Sequence, residues 1–572
     1  MYIIIFRIVK SIFIMLWIAF FTACSMIGPG SRQSSSFPTD TNRMRPVNSY
    51  YLFSEAHLSR KNGNLNRAVQ LLKQAAAADP DSIYLRRELA GLWLLKKDPS
   101  KALTLLEGIL DQHPDDLETL RLAGQVYRNG DDTHKAIDAF VRILAIDPKQ
   151  QNIYLLLGDL YMGQEQWDDA QATYLQLVDH FPGAYAGYFF LGRISAIKGE
   201  KEKARDYFNK TLSIEPELVE SRFELAAIYE DGGDFAKAAS VYEEIRRHNP
   251  NNNQAAMALG YAYSRLGKKA SAQDLLVPLG DKSVSDRSVV RTLVRHYLDK
   301  NKYEAAAIII AGMLDTPQPN PDLFYLAGVA LDGDNRKQAA IDALRKVPPT
   351  SRFFQSAAIH AALLYQEMEQ LQTAIAFLQE TVDKAPQNPE FRLYLGSFYE
   401  QTQAYQEAEA ILKSGLELDP RHSRIFFRLG VVYDKWGRKD ESIAAMKQVI
   451  QLDPENANAL NYLGYTYADM GVNLDQAEQL IRKALAHKPG DGYITDSLAW
   501  VYYKRGEFDK ALPLLEEAAR LVPEDPIVKE HLGDVYRQLD MIDKAIESYR
   551  QSIKSGHTEK AAVEAKIKLL KP

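Results

Sequence analysis

The chain has 572 residues, 46% hydrophobic and 25% charged, a globular composition too long for one ordinary core. Its 69 basic and 75 acidic residues are well mixed and leave a formal charge of −6, so no basic stripe supports nucleic-acid binding. A single cysteine, Cys24, excludes an intrachain disulfide and a cysteine-built structural zinc site.

The first elements in chain order concern targeting. Arg7 and Lys10 give a basic start, Ser11 to Phe21 is an apolar run, and Thr22-Ala23 places small residues before Cys24. This order reads as a secretory signal over 1–23. The alternative is an uncleaved N-terminal anchor, although the run is about half of the roughly 20 residues a spanning helix needs. FTAC at 21–24 resembles the bacterial lipobox, departing from it at Phe21, where leucine is usual. The resemblance implies a lipid on Cys24. Ser25, rather than Asp, then implies the outer membrane, facing the periplasm, in a bacterium with two membranes. Residues 24–48 carry this cysteine and a stretch rich in Ser, Pro, Gly and Asn. It reads as a flexible tether spanning on the order of 25–30 Å as a coil.

From residue 49 the chain repeats. Pro80, Pro114, Pro148, Pro182, Pro216 and Pro250 stand at intervals of 34, and Pro386, Pro420 and Pro454 continue in phase. Pro489 and Pro523 follow after one extra residue, in GVNLDQA at 471–477. The stretch Val219 to Pro250 shows the unit. Leu225, Ala226 and Tyr229 share one face of a first helix, because a 3.6-residue turn brings i, i+3 and i+4 together. Gly233 allows the left-handed stop, and Ala238, Tyr242 and Ile245 form the matching stripe of a second helix. Elsewhere Gly63, Gly199, Gly267, Gly437, Gly471 and Gly506 occupy the inter-helix turn. Small residues where two helices meet let the backbones approach, and proline ends the second helix.

The recurring Leu-Gly or Leu-Ala pair, the aromatic three residues on, and the second-helix alanine resemble the tetratricopeptide repeat. The resemblance covers 49–559 and implies an all-α, right-handed superhelical solenoid of about fifteen helix-turn-helix units. Six regular repeats are expected over 49–252, and five over 389–559. Between them, 253–388 keeps the spacing with closing prolines missing or displaced. A bend is expected there, and Pro348-Pro349 should shorten one second helix. Residues 560–572 read as a cap helix.

No catalytic motif is present: G-x-S-x-G, H-E-x-x-H, P-loop and dinucleotide fingerprints are all missing, so neither an enzyme nor a cofactor or metal is expected. His113, His180, His248 and His487 suit helix C-termini, where the dipole favours positive charge. The pairs Glu243-Glu244 and Glu516-Glu517 read as solvated helix faces. The family register turns one face of each first helix into a concave groove. Carried over by position, it names Asn461, Tyr465, Asp469, Asp496, Trp500 and Tyr503 as the candidate partner-binding set. Some of these rings could equally serve packing between repeats. Tyr188, Phe189 and Phe190 form a second apolar candidate. Residues 461–485 and 496–518 also resemble the C-terminal repeats of bacterial envelope proteins of this family. The expected function is therefore a non-enzymatic protein-interaction scaffold in an envelope assembly or export complex. The alternative is a glycan- or peptidoglycan-binding protein that uses the aromatic cluster.

Overall fold

In a computed structural model that describes residues 48–570, each 34-residue period folds as an antiparallel helical hairpin. The signal, Cys24 and the tether as far as residue 47 lie outside the described residues. Val219–Asp231 pairs with Phe235–His248, and Asp234 starts the second helix by accepting the Lys237 N–H through its side chain. Among the described residues there are 31 α-helices and no strand: fifteen hairpins and a final helix, Lys560–Leu569. None of these helices is long and apolar enough to cross a membrane.

The backbone carries the period more faithfully than the side chains do. A left-handed residue, with φ between 57° and 80°, ends the first helix of every hairpin. It recurs at 63, 97, 131 and every 34 residues to 471, then at 506 and 540. Seven of these fifteen positions are glycine, the residue that takes this conformation without penalty. The other eight are Lys97, Asp131, Glu165, Asn301, Asn335, Glu369, Gln403 and Asp540, which the glycine pattern cannot reveal. Here the turn is imposed by the packing of the hairpin, at a cost of about 1–2 kcal/mol for a residue with a Cβ.

Burial follows the landmarks. The second-helix alanines Ala68, Ala136, Ala238, Ala340, Ala408 and Ala545 are completely buried. At Gly124 a Cβ would lie 2.7 Å from Phe140 Cε1, so an alanine there would have to displace the Phe140 ring. In the degenerate stretch, Lys269–Ser285 runs 17 residues with Pro278 inside it, and Asp286 alone joins it to the next helix, Arg287–Leu293. That helix widens into a π-helical turn at Val294–Leu298. The helix before Pro348-Pro349, Lys337–Leu344, has 8 residues.

The chain divides between Phe190 and Leu191 into two compact units, so the block boundaries expected at 252 and 388 both fall inside the second. The first unit's hairpins share a core built on residues such as Leu72, Leu89, Leu106, Leu120 and Phe140. In the second unit, Val563 and Ile567 of the final helix pack on Tyr536 and Tyr549, covering the last hairpin.

Candidate functional site

The candidate residues sit on two successive first helices, Ala457–Asp469 and Gly492–Lys504; a third, Pro526–Gln538, completes their surroundings. Each is started by a side-chain cap. Asn456 accepts from Ala459 N–H, Asp491 from Tyr493 and Ile494, and Asp525 from Ile527 and Val528. The extra residue expected at 471–477 is absorbed in the turn, where Gly471 and Asn473 both adopt positive φ, and the helices keep their length.

The structure brings Asp496, Trp500 and Tyr503 together. Trp500 stacks on Tyr503, with ring centroids 4.5 Å apart, and on His531 at 3.9 Å. His531 Nδ1 lies 2.9 and 3.1 Å from the two carboxylate oxygens of Asp496, and both side chains are buried. Burial opposes protonation of His531, but the charge and hydrogen bond of Asp496, aided by Asp534 and Glu530, hold its pKa above the ordinary value. Asp496 is therefore engaged within the fold rather than presented to a ligand. Asp469 is exposed, and Lys504 links it to the cluster. The ammonium donates to the Asp469 carbonyl at 2.9 Å and lies 5.3 Å from the Trp500 ring centre. Tyr465 is half-buried; burial, with the nearby charges of Asp469 and Asp496, raises its pKa. Asn461 stands apart from these contacts. Its Oδ1 is buried without a hydrogen-bond partner, and so is the Trp500 Nε1.

Three features were not identified from the sequence. His531 follows Asp496 by 35 residues, one period on the adjoining first helix, and that spacing was the available signal. Beyond it, Lys566 of the final helix bridges Asp534 and Glu530, and Glu530 also faces His557 Nε2 at 2.8 Å. The third feature corrects an expectation. Glu243 and Glu516 are not simply solvated: they accept the hydroxyls of Tyr263 and Tyr536, at 2.7 and 2.9 Å. Tyr127 donates to Glu107 in the same way, 20 residues back. The aromatic landmark thus packs its ring and ties its hydroxyl to the preceding hairpin. In the last hairpins this link becomes a hub at Glu478, which accepts from Tyr502, Arg482 and Arg505. Burial works against its ionisation, but those three donors overcome it and bring the carboxyl down to about 2. Of the four histidines placed at helix C-termini, His180, His248 and His487 close their helices, while His113 lies beyond a helix ending at Leu110. In the first unit, Phe190 stacks on Tyr174 at 4.9 Å and meets Phe189 edge-on.

Comparison with known proteins agrees with this architecture. Models described as tetratricopeptide repeat match residues 59–126, 155–217, 223–276, 365–426, 423–456 and 497–558, together more than half of the chain. A TPR repeat-containing protein, YpiA, of Bacillus subtilis is 25% identical over 309 residues, covering 52% of this chain and 71% of YpiA. The human protein O-mannosyl-transferase TMTC1 is 29% identical over 159 residues, 27% of this chain and only 18% of that protein's length. Among solved structures, yeast Tom70 is 16% identical, with a TM-score of 0.35 over 74% of this chain and 96% of that one. With fifteen helical hairpins on one period and family models matching along most of their length, the chain belongs to the tetratricopeptide repeat family.

Proposed function

We propose that this chain is a non-enzymatic protein-interaction scaffold, tethered through lipidated Cys24 to the outer membrane of a bacterial envelope. It faces the periplasm, and a partner docks on the surface of Ala457–Asp469 and Gly492–Lys504 within an envelope assembly or export complex. The observation that carries the docking site is the pair of orphaned polar atoms, Asn461 Oδ1 and Trp500 Nε1, at positions the family register turns into the groove. A buried polar group left unpaired costs about 1–3 kcal/mol. Pairing either atom with a partner requires the side chains over them to shift, since neither atom is accessible as the helices pack. Support for the anchor comes from the order of basic start, apolar run, small residues and the only cysteine.

The glycan alternative has less behind it. Sugar stacking needs an open ring face, and Trp500 is 8% exposed beneath Tyr503 and His531.

Two experiments test the proposal. Cys24→Ala should release the chain from the membrane fraction; unchanged association removes the lipid anchor. Proteins that co-purify with the intact chain should be lost with Asn461→Ala combined with Tyr503→Ala while helicity is retained. An unchanged set places the docking surface elsewhere.

A further inference from the structure

The last hairpin is covered by the final helix, but the first helix, Ser49–Lys61, has no hairpin before it among the described residues. The position of Tyr51 recurs in every later hairpin, from Leu85, Thr119 and Ile153 to Ile494 and Val528, and is buried in each. What buries it is the preceding second helix. Ser221 donates its hydroxyl to the Phe208 carbonyl there at 3.3 Å, and a Cβ on Gly415 would lie 2.8 Å from Ile425 Cδ1. The position of Leu58 is likewise buried as Leu92, Ile194, Phe398 and Val432. In the first helix these contacts are missing: Tyr51 is 61% and Leu58 52% exposed, with Tyr50 at 75% beside them. Tyr50, Leu58 and Lys61 recur at helical spacing, so the rings, the leucine and an ammonium share one face. A solenoid end needs a polar outer face for solubility, and this end shows an aromatic one.

Cations gather at the edge of the same hairpin. Lys96 Nζ donates to Asn66 Oδ1 at 2.5 Å, which joins the turn of the second hairpin to that of the first. Lys73, Lys96 and Lys101 converge on one ring, 5.3, 5.2 and 4.5 Å from the centre of Trp93. Two carboxylates stand at this edge, and both are taken: Glu88 by Arg60 at 3.4 Å, Asp98 by Lys101 at 2.7 Å. Lys61, Lys73, Lys96 and Lys97 form no ion pair among the described residues. Leu95, 56% exposed, lies next to Lys96 and Lys97 at this edge.

We propose that the face of Tyr50, Tyr51 and Leu58, with the cations at its edge, lies on an anionic lipid surface and holds the first hairpin against the membrane. The inference rests on the lipid anchor at Cys24 proposed above. Asn48 caps the helix that carries the face, and residues 24–47 lead straight to it from the anchor. A tether of about 25–30 Å keeps this hairpin, ahead of all others, within reach of the bilayer. Tyrosine suits that boundary, since its ring enters the apolar side while its hydroxyl stays with the headgroups. The unpaired ammoniums match lipid phosphates. A second copy of the chain fits less well: one helix with three exposed apolar side chains falls short of the roughly 800 Å² per partner of a stable interface.

The test reconstitutes the full chain into phosphatidylethanolamine–phosphatidylglycerol vesicles whose acyl chains carry bromine, which quenches any indole that reaches the bilayer. Read against the unmodified chain, the added emission of Leu58→Trp should be quenched. That of Tyr493→Trp, exposed in a C-terminal hairpin, should not be. Lys61→Glu combined with Lys97→Glu, both at exposed positions, should lower the ratio of quenched to unquenched Leu58→Trp chain about tenfold or more. Added salt should act in the same direction. A chain that floats with the vesicles while Leu58→Trp stays bright overturns the face and leaves the anchor standing. A chain that does not float overturns both. Quenching that survives Cys24→Ala overturns the anchor alone. Equal quenching on phosphatidylcholine vesicles, or at Tyr493→Trp, overturns the role given to the cations or to this face. Bright Leu58→Trp together with a dimer that Leu58→Glu disperses assigns the face to a second copy.

Discussion

Replacing Asp496 with alanine should destabilise the C-terminal hairpins, and by more in acid than in alkali. The carboxylate lies 2.9 and 3.1 Å from His531 Nδ1, and the two residues are each 6% exposed, so water cannot replace the lost acceptor. Breaking a buried pair while the imidazole is charged costs about 3–5 kcal/mol. With the imidazole neutral, what remains is an unsatisfied N–H, worth about 1–3 kcal/mol. The sign follows from the raised pKa of folded His531. Its contribution is fully present below the unfolded histidine value near 6.5 and fades as pH rises through the folded value. In Asp496→Ala only the lesser influence of Asp534 and Glu530 still opposes burial at this site, so protonation loses most of its gain. Solenoids open locally, which makes hydrogen exchange the suitable assay, followed in Gly492–Lys504 and Pro526–Gln538 near pH 6 and near pH 9. An opening free energy that falls equally at both pH values would refute the charged-pair account. A fall below about 0.5 kcal/mol would show that the pair is not desolvated.

Three further outcomes are expected. Ser442 stands where other hairpins carry the buried second-helix alanine, and its hydroxyl is buried without a partner. Ser442→Ala should therefore stabilise Lys439–Leu452 by about 1 kcal/mol in hydrogen exchange, and a loss of stability would contradict this. Glu369 holds φ 59° in its turn, so Glu369→Gly should raise the stability of its hairpin by about 1 kcal/mol in urea titration, whereas Gly199→Ala should lower it comparably. The depressed Glu478 carboxyl contributes stability above its unfolded value near 4.3 and loses it as pH falls toward about 2. Glu478→Gln should remove that pH dependence from the hydrogen exchange of Leu474–His487, and a dependence that persists would assign it to another group.

Much of the architecture was legible because it is periodic. The alanines at 68, 136 and 238, Gly124 and the closing prolines each answer a local demand, close approach or helix termination, that every unit repeats. Repetition turns weak single signals into a register. The one-residue shift at 471–477 could be read in the same way, and so could the short helix before Pro348-Pro349. The turn at Glu165 or Gln403 could not, because their side chains carry no left-handed preference; the packed hairpin imposes that conformation.

The candidate site divides along the same line. Register placed Asp496, Trp500 and Tyr503 on one face, since positions on a first helix follow from counting alone. Only tertiary packing decided that His531, one period on, would insert against Trp500 and take the Asp496 carboxylate into the fold. The same packing sent the hydroxyls of Tyr263 and Tyr536 to Glu243 and Glu516, which counting had left in solvent. A period fixes which residues are neighbours along the solenoid. Which neighbour satisfies a buried polar atom depends on distances of a few tenths of an ångström between side chains, and those exist only once adjoining hairpins have packed.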